Sequence, residues 1–150
     1  MMGYVFMRFG TDFRPENVDR LREKVGECLQ RASFEGSEAF LLLNLMDELI
    51  CNILEHGEAT WVELEVHPQA KILNIILRDD GKDFDAGASI EAQKEGGAGL
   101  VDPSGRHMGL YMVSHIADSW AYKRVDGTVN ELSLVVDLEK KREGEKNATH

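Results

Sequence analysis

The sequence predicts an α+β two-layer sandwich: a mixed, mainly antiparallel sheet with helices on one face. Three observations carry this expectation. Short runs such as Val62–His67 alternate apolar and polar residues, as half-buried strands do. Two helix-length segments place apolar residues every three or four positions. An Asp126-Gly127 pair joins the last two strand-like runs, a hairpin signal that needs no crossover.

Taken in order, Tyr4–Phe9 reads as a strand ended by Gly10. Pro15 suits the first turn of a helix, and Val18, Leu21, Val25, Leu29 and Ala32 give it one apolar stripe, stopping near Ser33. Ser37 is a candidate N-cap for a second helix that stops at Gly57. On a wheel of about 100° per residue, Leu42, Leu43, Met46, Leu49, Ile50, Ile53 and Leu54 fall on one half. Asn44, Asp47, Glu48, Cys51, Asn52 and Glu55 fall on the other. Val62, Leu64 and Val66 face a core, Pro68–Lys71 turns, and Ile72–Leu77 is apolar enough for a central strand. A helix begins near Gly109, followed by strands at Trp120–Val125 and Val129–Leu138.

Seven of the 14 glycines lie between Gly81 and Gly109, in a stretch with little periodicity. Long segments of this kind inside a compact domain are usually functional lids. The chain has 150 residues, one domain's length, divided here as a domain at 1–138 and a charged tail at 139–150. With 43% hydrophobic and 29% charged residues it is ordinary globular composition. A net charge of −10 without a basic stripe argues against nucleic acid or an anionic membrane as partner. No run approaches the roughly 18 apolar residues of a membrane span. Cys28 and Cys51 match no metal spacing and read as buried reduced thiols of a cytoplasmic protein.

Three places can carry chemistry. Glu48 and Asn52, four apart, share one helix face, where a carboxylate beside an amide oxygen suits a general base and a hard-metal ligand. Alone they are equally two solvated polar residues, and His56 one turn on is equally a partner for the helix dipole. Asp79-Asp80-Gly81 ends a buried strand, where a carboxylate can accept from an exocyclic amine, although a plain Asp-Gly turn has the same letters. Gly105-Arg106-His107-Met108-Gly109 opens a helix, whose free N–H groups suit phosphate without any net positive charge.

In combination, Glu-x3-Asn on a helix, a strand ending in Asp-x-Gly, a loose loop and Gly-x3-Gly entering a helix resemble the Bergerat-fold ATPases: gyrase, histidine kinases and the anti-sigma-factor serine kinases. MDELICNILEHG is similar to the family's N box, LRDDGKDFD to its first glycine box and PSGRHMGLYMVSHIAD to its second. The resemblance runs from about Tyr4 to Leu138. The form of the N box and the absence of a preceding histidine-bearing helix favour the anti-sigma serine kinase branch.

The resemblance implies ATP and Mg²⁺ as cofactors. It implies Asn52 as Mg²⁺ ligand, Glu48 as general base, Asp79 as acceptor from the adenine amine and Gly81 beneath the base. Gly105, Met108, Gly109 and Leu110 would hold phosphate, and Ala86–Ser104 would be the lid. The implied function is transfer of the γ-phosphate to Ser or Thr of a small partner, an anti-anti-sigma-type regulator or a sigma factor. A non-catalytic sequestering module of the same fold is the alternative, a histidine-kinase catalytic domain the third, and a homodimer is left open. Two positions depart from the family pattern: Asp83 and His107 stand where glycines are usual. A side chain at either place crowds a nucleotide, and Asp83 adds like charge near phosphate.

Overall fold

The computed structural model describes residues 5–56, 58–83 and 113–140. The elements are β1 (Met7–Asp12), α1 (Pro15–Arg31), α2 (Ser37–His56), β2 (Trp61–Gln69), β3 (Ile72–Asp79), β4 (Ser119–Val125) and β5 (Val129–Asp137). The strands form one sheet in the order β1-β2-β3-β5-β4, and each neighbouring pair is antiparallel. The α+β sandwich is therefore the fold, with α1 and α2 sharing a core with one face of the sheet.

Alternation decides which face is buried. Val62, Leu64 and Val66 from β2, Leu73, Ile75 and Leu77 from β3, and Leu132, Leu134 and Val136 from β5 all point to the helices and are 5% exposed or less. Each such side chain contributes about 1.5–3 kcal/mol of transfer free energy. Leu21, Val25 and Leu29 of α1 and Leu42, Leu45, Met46 and Leu49 of α2 close the other side. The opposite face carries ions: the Arg78 guanidinium bonds Glu63 at 2.8 Å and Glu131 at 2.8 Å, and also reaches Glu65. Burial opposes the charge on Arg78, but the three carboxylates outweigh it and raise its pKa further.

Several boundaries differ from the sequence expectation. Gly10 does not end β1, which runs to Asp12. Its role is steric, since a Cβ there would lie 3.0 Å from the Trp61 ring nitrogen across the strand pair. Pro68 belongs to β2; β1 pairs only as far as Val66, so no ladder bond is demanded of the proline, and the turn sits at Ala70, where φ is +53°. Ser37 is the first helical residue of α2, and the Gly36 carbonyl accepts from Phe40 N–H at 3.1 Å, so Gly36 occupies the cap. Gly57 lies outside the described residues. The wheel of α2 is also too simple, because Asn52 is buried whereas Leu54 is 48% exposed. Cys28 is buried as expected, but Cys51 is exposed.

The final hairpin turns as expected. Asp126 and Gly127 both take positive φ, and Thr128 N–H closes the turn on the Val125 carbonyl at 3.0 Å. Val113, Ile116 and Ala117, in and after a short helical stretch at 113–116, are buried in the same core. The expected helix start near Gly109 lies outside the described residues.

Candidate functional site

The inward parity of β3 does not stop with its apolar residues. Leu73, Ile75 and Leu77 are followed at the same two-residue step by Asp79, which is 7% exposed. A buried carboxylate is costly unless donors surround it. Asp79 Oδ1 accepts from Gly81 N–H at 2.9 Å and from Asn130 Nδ2 at 3.0 Å. No described residue bonds Oδ2, which keeps its lone pairs for another donor.

Asp80, of opposite parity, does different work. Its carboxylate accepts from Thr60 N–H at 2.8 Å, from Trp61 N–H at 2.9 Å and from the Thr60 hydroxyl. It ties the start of β2 to the end of β3. Burial raises its pKa, yet these donors outweigh burial and leave the carboxyl below its ordinary value. Of the two adjacent aspartates, only Asp79 is buried.

Three residues of the last hairpin complete this end of the sheet, and the sequence reading missed all three. The β3–β5 register sets Asn130 opposite Asp79. Asn130 Nδ2 also donates to the Lys82 carbonyl at 2.8 Å, and its Oδ1 accepts from Arg124 at 2.8 Å and lies 2.7 Å from the Tyr122 hydroxyl, whose one proton it shares with Asp83. Arg124 donates in addition to the Gly81 carbonyl at 3.1 Å. The Tyr122 hydroxyl also bonds Asp83, and burial together with the Asp83 charge pushes its pKa up to about 12. Asp83, the first departure from the glycine pattern, is thus held by a phenol. A signal for Asn130 did exist: it is a polar residue on the same parity as Leu132, Leu134 and Val136.

On α2, Asn52 is 7% exposed, and its side-chain Nδ2 has no hydrogen-bond partner among the described residues. A buried, unpartnered amide costs about 1–3 kcal/mol. Glu48 lies one turn earlier, half-buried. The exposed Cys51 between them has a raised thiol pKa, from partial desolvation and then the charges of Glu48, Asp47 and Glu55. Among the described residues no hydrogen bond joins the Glu48–Asn52 pair to the Asp79 cluster. Gly105, His107, Met108, Gly109, Leu110 and the Ala86–Ser104 segment lie outside the described residues, as does the His56 side chain. Among the described residues no group of three or more His, Cys, Asp or Glu could hold a metal ion, and no helix is long and apolar enough to cross a membrane.

The described residues thus form a helix-covered antiparallel sheet with a buried aspartate at the end of β3 and a buried asparagine on α2. The histidine kinase-like ATPase domain family matches residues 11–136, and the chain belongs to that family. A chain of the SiaB-SiaC complex from Pseudomonas aeruginosa has a similar fold, with a TM-score of 0.62 and 13% identity over 87% of this chain and 88% of that chain. The histidine kinase AdeS of Acinetobacter baumannii matches 91% of this chain and 68% of that chain at 12% identity, with a TM-score of 0.47. No curated protein matches the chain.

Proposed function

We propose that this chain is an ATP-binding regulatory domain of the anti-sigma-factor serine kinase type. It transfers the γ-phosphate of ATP to a serine or threonine of a small partner protein in the cytoplasm. The domain spans residues 1–138, and 139–150 form a charged tail. The observation that carries the ATP reading is the half-assigned Asp79 carboxylate, with two donors on Oδ1 and none on Oδ2 among the described residues. An exocyclic amine is the donor such an oxygen accepts from, and adenine carries one at its edge.

The orphaned Asn52 amide fits the other end of the nucleotide. A donor buried without a partner is satisfied by a phosphate oxygen, and the amide oxygen is a hard ligand for Mg²⁺. Whichever way the amide is turned, one of its polar atoms is free for the ligand. Mg²⁺ when bound neutralises charge on the transferring phosphoryl group. Glu48 takes the proton of the acceptor hydroxyl as its oxygen bonds to the γ-phosphorus and the bond to the β–γ bridging oxygen breaks. Gly105, Met108, Gly109 and Leu110, which lie outside the described residues, are the positions whose backbone N–H groups hold phosphate in this reading. The family match over residues 11–136 supports the nucleotide part of this reading. The likeness to a chain from a two-protein complex supports looking for a small protein partner.

The second reading is a module of the same fold that sequesters a partner without chemistry. Asp83 and His107, in places where glycines are usual, favour it. Calorimetric titration with ATP, with and without Mg²⁺, followed by a phosphate-transfer assay on co-purified partner, separates the two. ATP binding with transfer supports the kinase. Partner binding with neither ATP binding nor transfer leaves the module.

A further inference from the structure

We propose that Asn130 is a positioning residue for nucleobase recognition, holding Asp79 so that only Oδ2 is free to accept from the base. This rests on the ATP reading above and adds residues of the last hairpin to it. An asparagine can present either its NH₂ or its oxygen to a neighbour, and here the surroundings choose. Arg124 is a donor aimed at Oδ1, while the Lys82 carbonyl is an acceptor on Nδ2. Turned the other way, the amide would set oxygen against the Asp79 carboxylate and N–H against a guanidinium. Both amide protons and a lone pair of the oxygen are therefore used in one orientation, which supplies a donor to Asp79 Oδ1 at 3.0 Å.

The consequence is selectivity. With Oδ1 occupied by Gly81 and Asn130, Asp79 stays an acceptor-only group of fixed rotation. Such a group favours a base that offers an amine at that edge over one that offers a carbonyl, since two acceptors face to face leave both unpaired. Among the described residues, the charged groups linked to the pair are Arg124 from β4, bonded to Asn130, and Asp83 after β3, through the Tyr122 hydroxyl.

The test is calorimetric titration of the full chain with ATP and, separately, GTP across pH, each variant expressed relative to wild type. Asn130→Ala should weaken ATP binding about tenfold and narrow the ATP-over-GTP preference by the loss of one hydrogen bond to a charged group. Asn130→Asp should behave differently, because two facing carboxylates repel when both are ionised and share a proton when acid enough. Relative ATP affinity should approach wild type near about pH 5 and fall about tenfold or more by about pH 8 as that proton is lost. Tyr122→Phe should lose only about two- to threefold, since Arg124 still orients the amide.

Wild-type preference for ATP retained at every pH in both Asn130 variants overturns the inference while leaving ATP binding intact. Wild type that binds neither nucleotide overturns the functional reading and this inference with it. Where Asn130→Ala fails to fold, the near-isosteric Asn130→Asp decides alone through its pH profile.

Discussion

Asp79 has half of its carboxylate bonded to the protein, whereas Asn52 has its amide nitrogen bonded to no described residue. The first is part of a closed network running through Gly81, Asn130, Arg124 and Tyr122. The second is a buried polar atom awaiting a partner. One end is organised by the fold before any ligand arrives. The other holds an unmet hydrogen bond that, on the proposed function, a ligand completes. Preorganisation serves recognition, because a fixed acceptor discriminates between bases. On the proposed function, an unmet donor serves the phosphate end of the nucleotide, where charge completes it.

This contrast can be broken first at Glu48. Glu48→Gln keeps shape and removes the base, so turnover in a phosphate-transfer assay should fall about 10²–10⁴-fold with ATP affinity nearly unchanged. A parallel loss of affinity would mean that the helix pair belongs to binding. Next, Asp79→Asn should lower ATP affinity by about 1–3 kcal/mol, read by calorimetry, because an amide can turn its NH₂ towards the base amine. Unchanged affinity would remove Asp79 from the base site.

A third variant acts on the sheet face away from the helices. Arg78→Met leaves Glu63, Glu65 and Glu131 facing one another and should cost about 1–3 kcal/mol in denaturant unfolding at neutral pH. The pH dependence gives the sign. Hydrogen bonds from Arg78 and His67 hold Glu65 below its ordinary pKa. For Glu131, burial pulls upward and the bonds from Arg78 outweigh it. Groups with depressed folded pKa contribute stability above their unfolded value, about 4.3 for glutamate, and lose it as pH falls through the folded value. Wild type should therefore lose stability below about pH 4.3, and Arg78→Met should lose less of it there. The smallest effect concerns Mg²⁺ alone: with no three-carboxylate or histidine cluster among the described residues, Mg²⁺ or a chelator without nucleotide should shift the melting temperature by about 1 °C or less. A clear shift would reveal a metal site independent of phosphate.

The strands were legible because a period of two is a local property. β2 and β5 alternate in the sequence as they do in the sheet, and Asp79 follows Leu73, Ile75 and Leu77 on one parity. The boundaries were less so. Gly10 looked like a stop and is a space for the Trp61 ring, a contact made by a residue 51 positions away in sequence. Cys51 and Asn52 stood on the same polar half of a wheel, yet one is exposed and the other buried, because a wheel does not say what packs against a helix.

What the sequence determined by itself was therefore everything that depends on spacing along one element. That covers the alternation of the strands, the hairpin at Asp126-Gly127, the one-turn relation of Glu48 to Asn52 and the box order that marks the family. What only the tertiary structure decided was who meets whom across elements. Asn130 is 51 residues from Asp79, and only the pairing of β3 with β5 sets them opposite each other. Tyr122 takes up Asp83 across 39 residues, and Asp80 reaches back 20 to Thr60. A hydrogen bond acts over about 3 Å, so its partners are fixed by register and packing, which no local window of sequence contains.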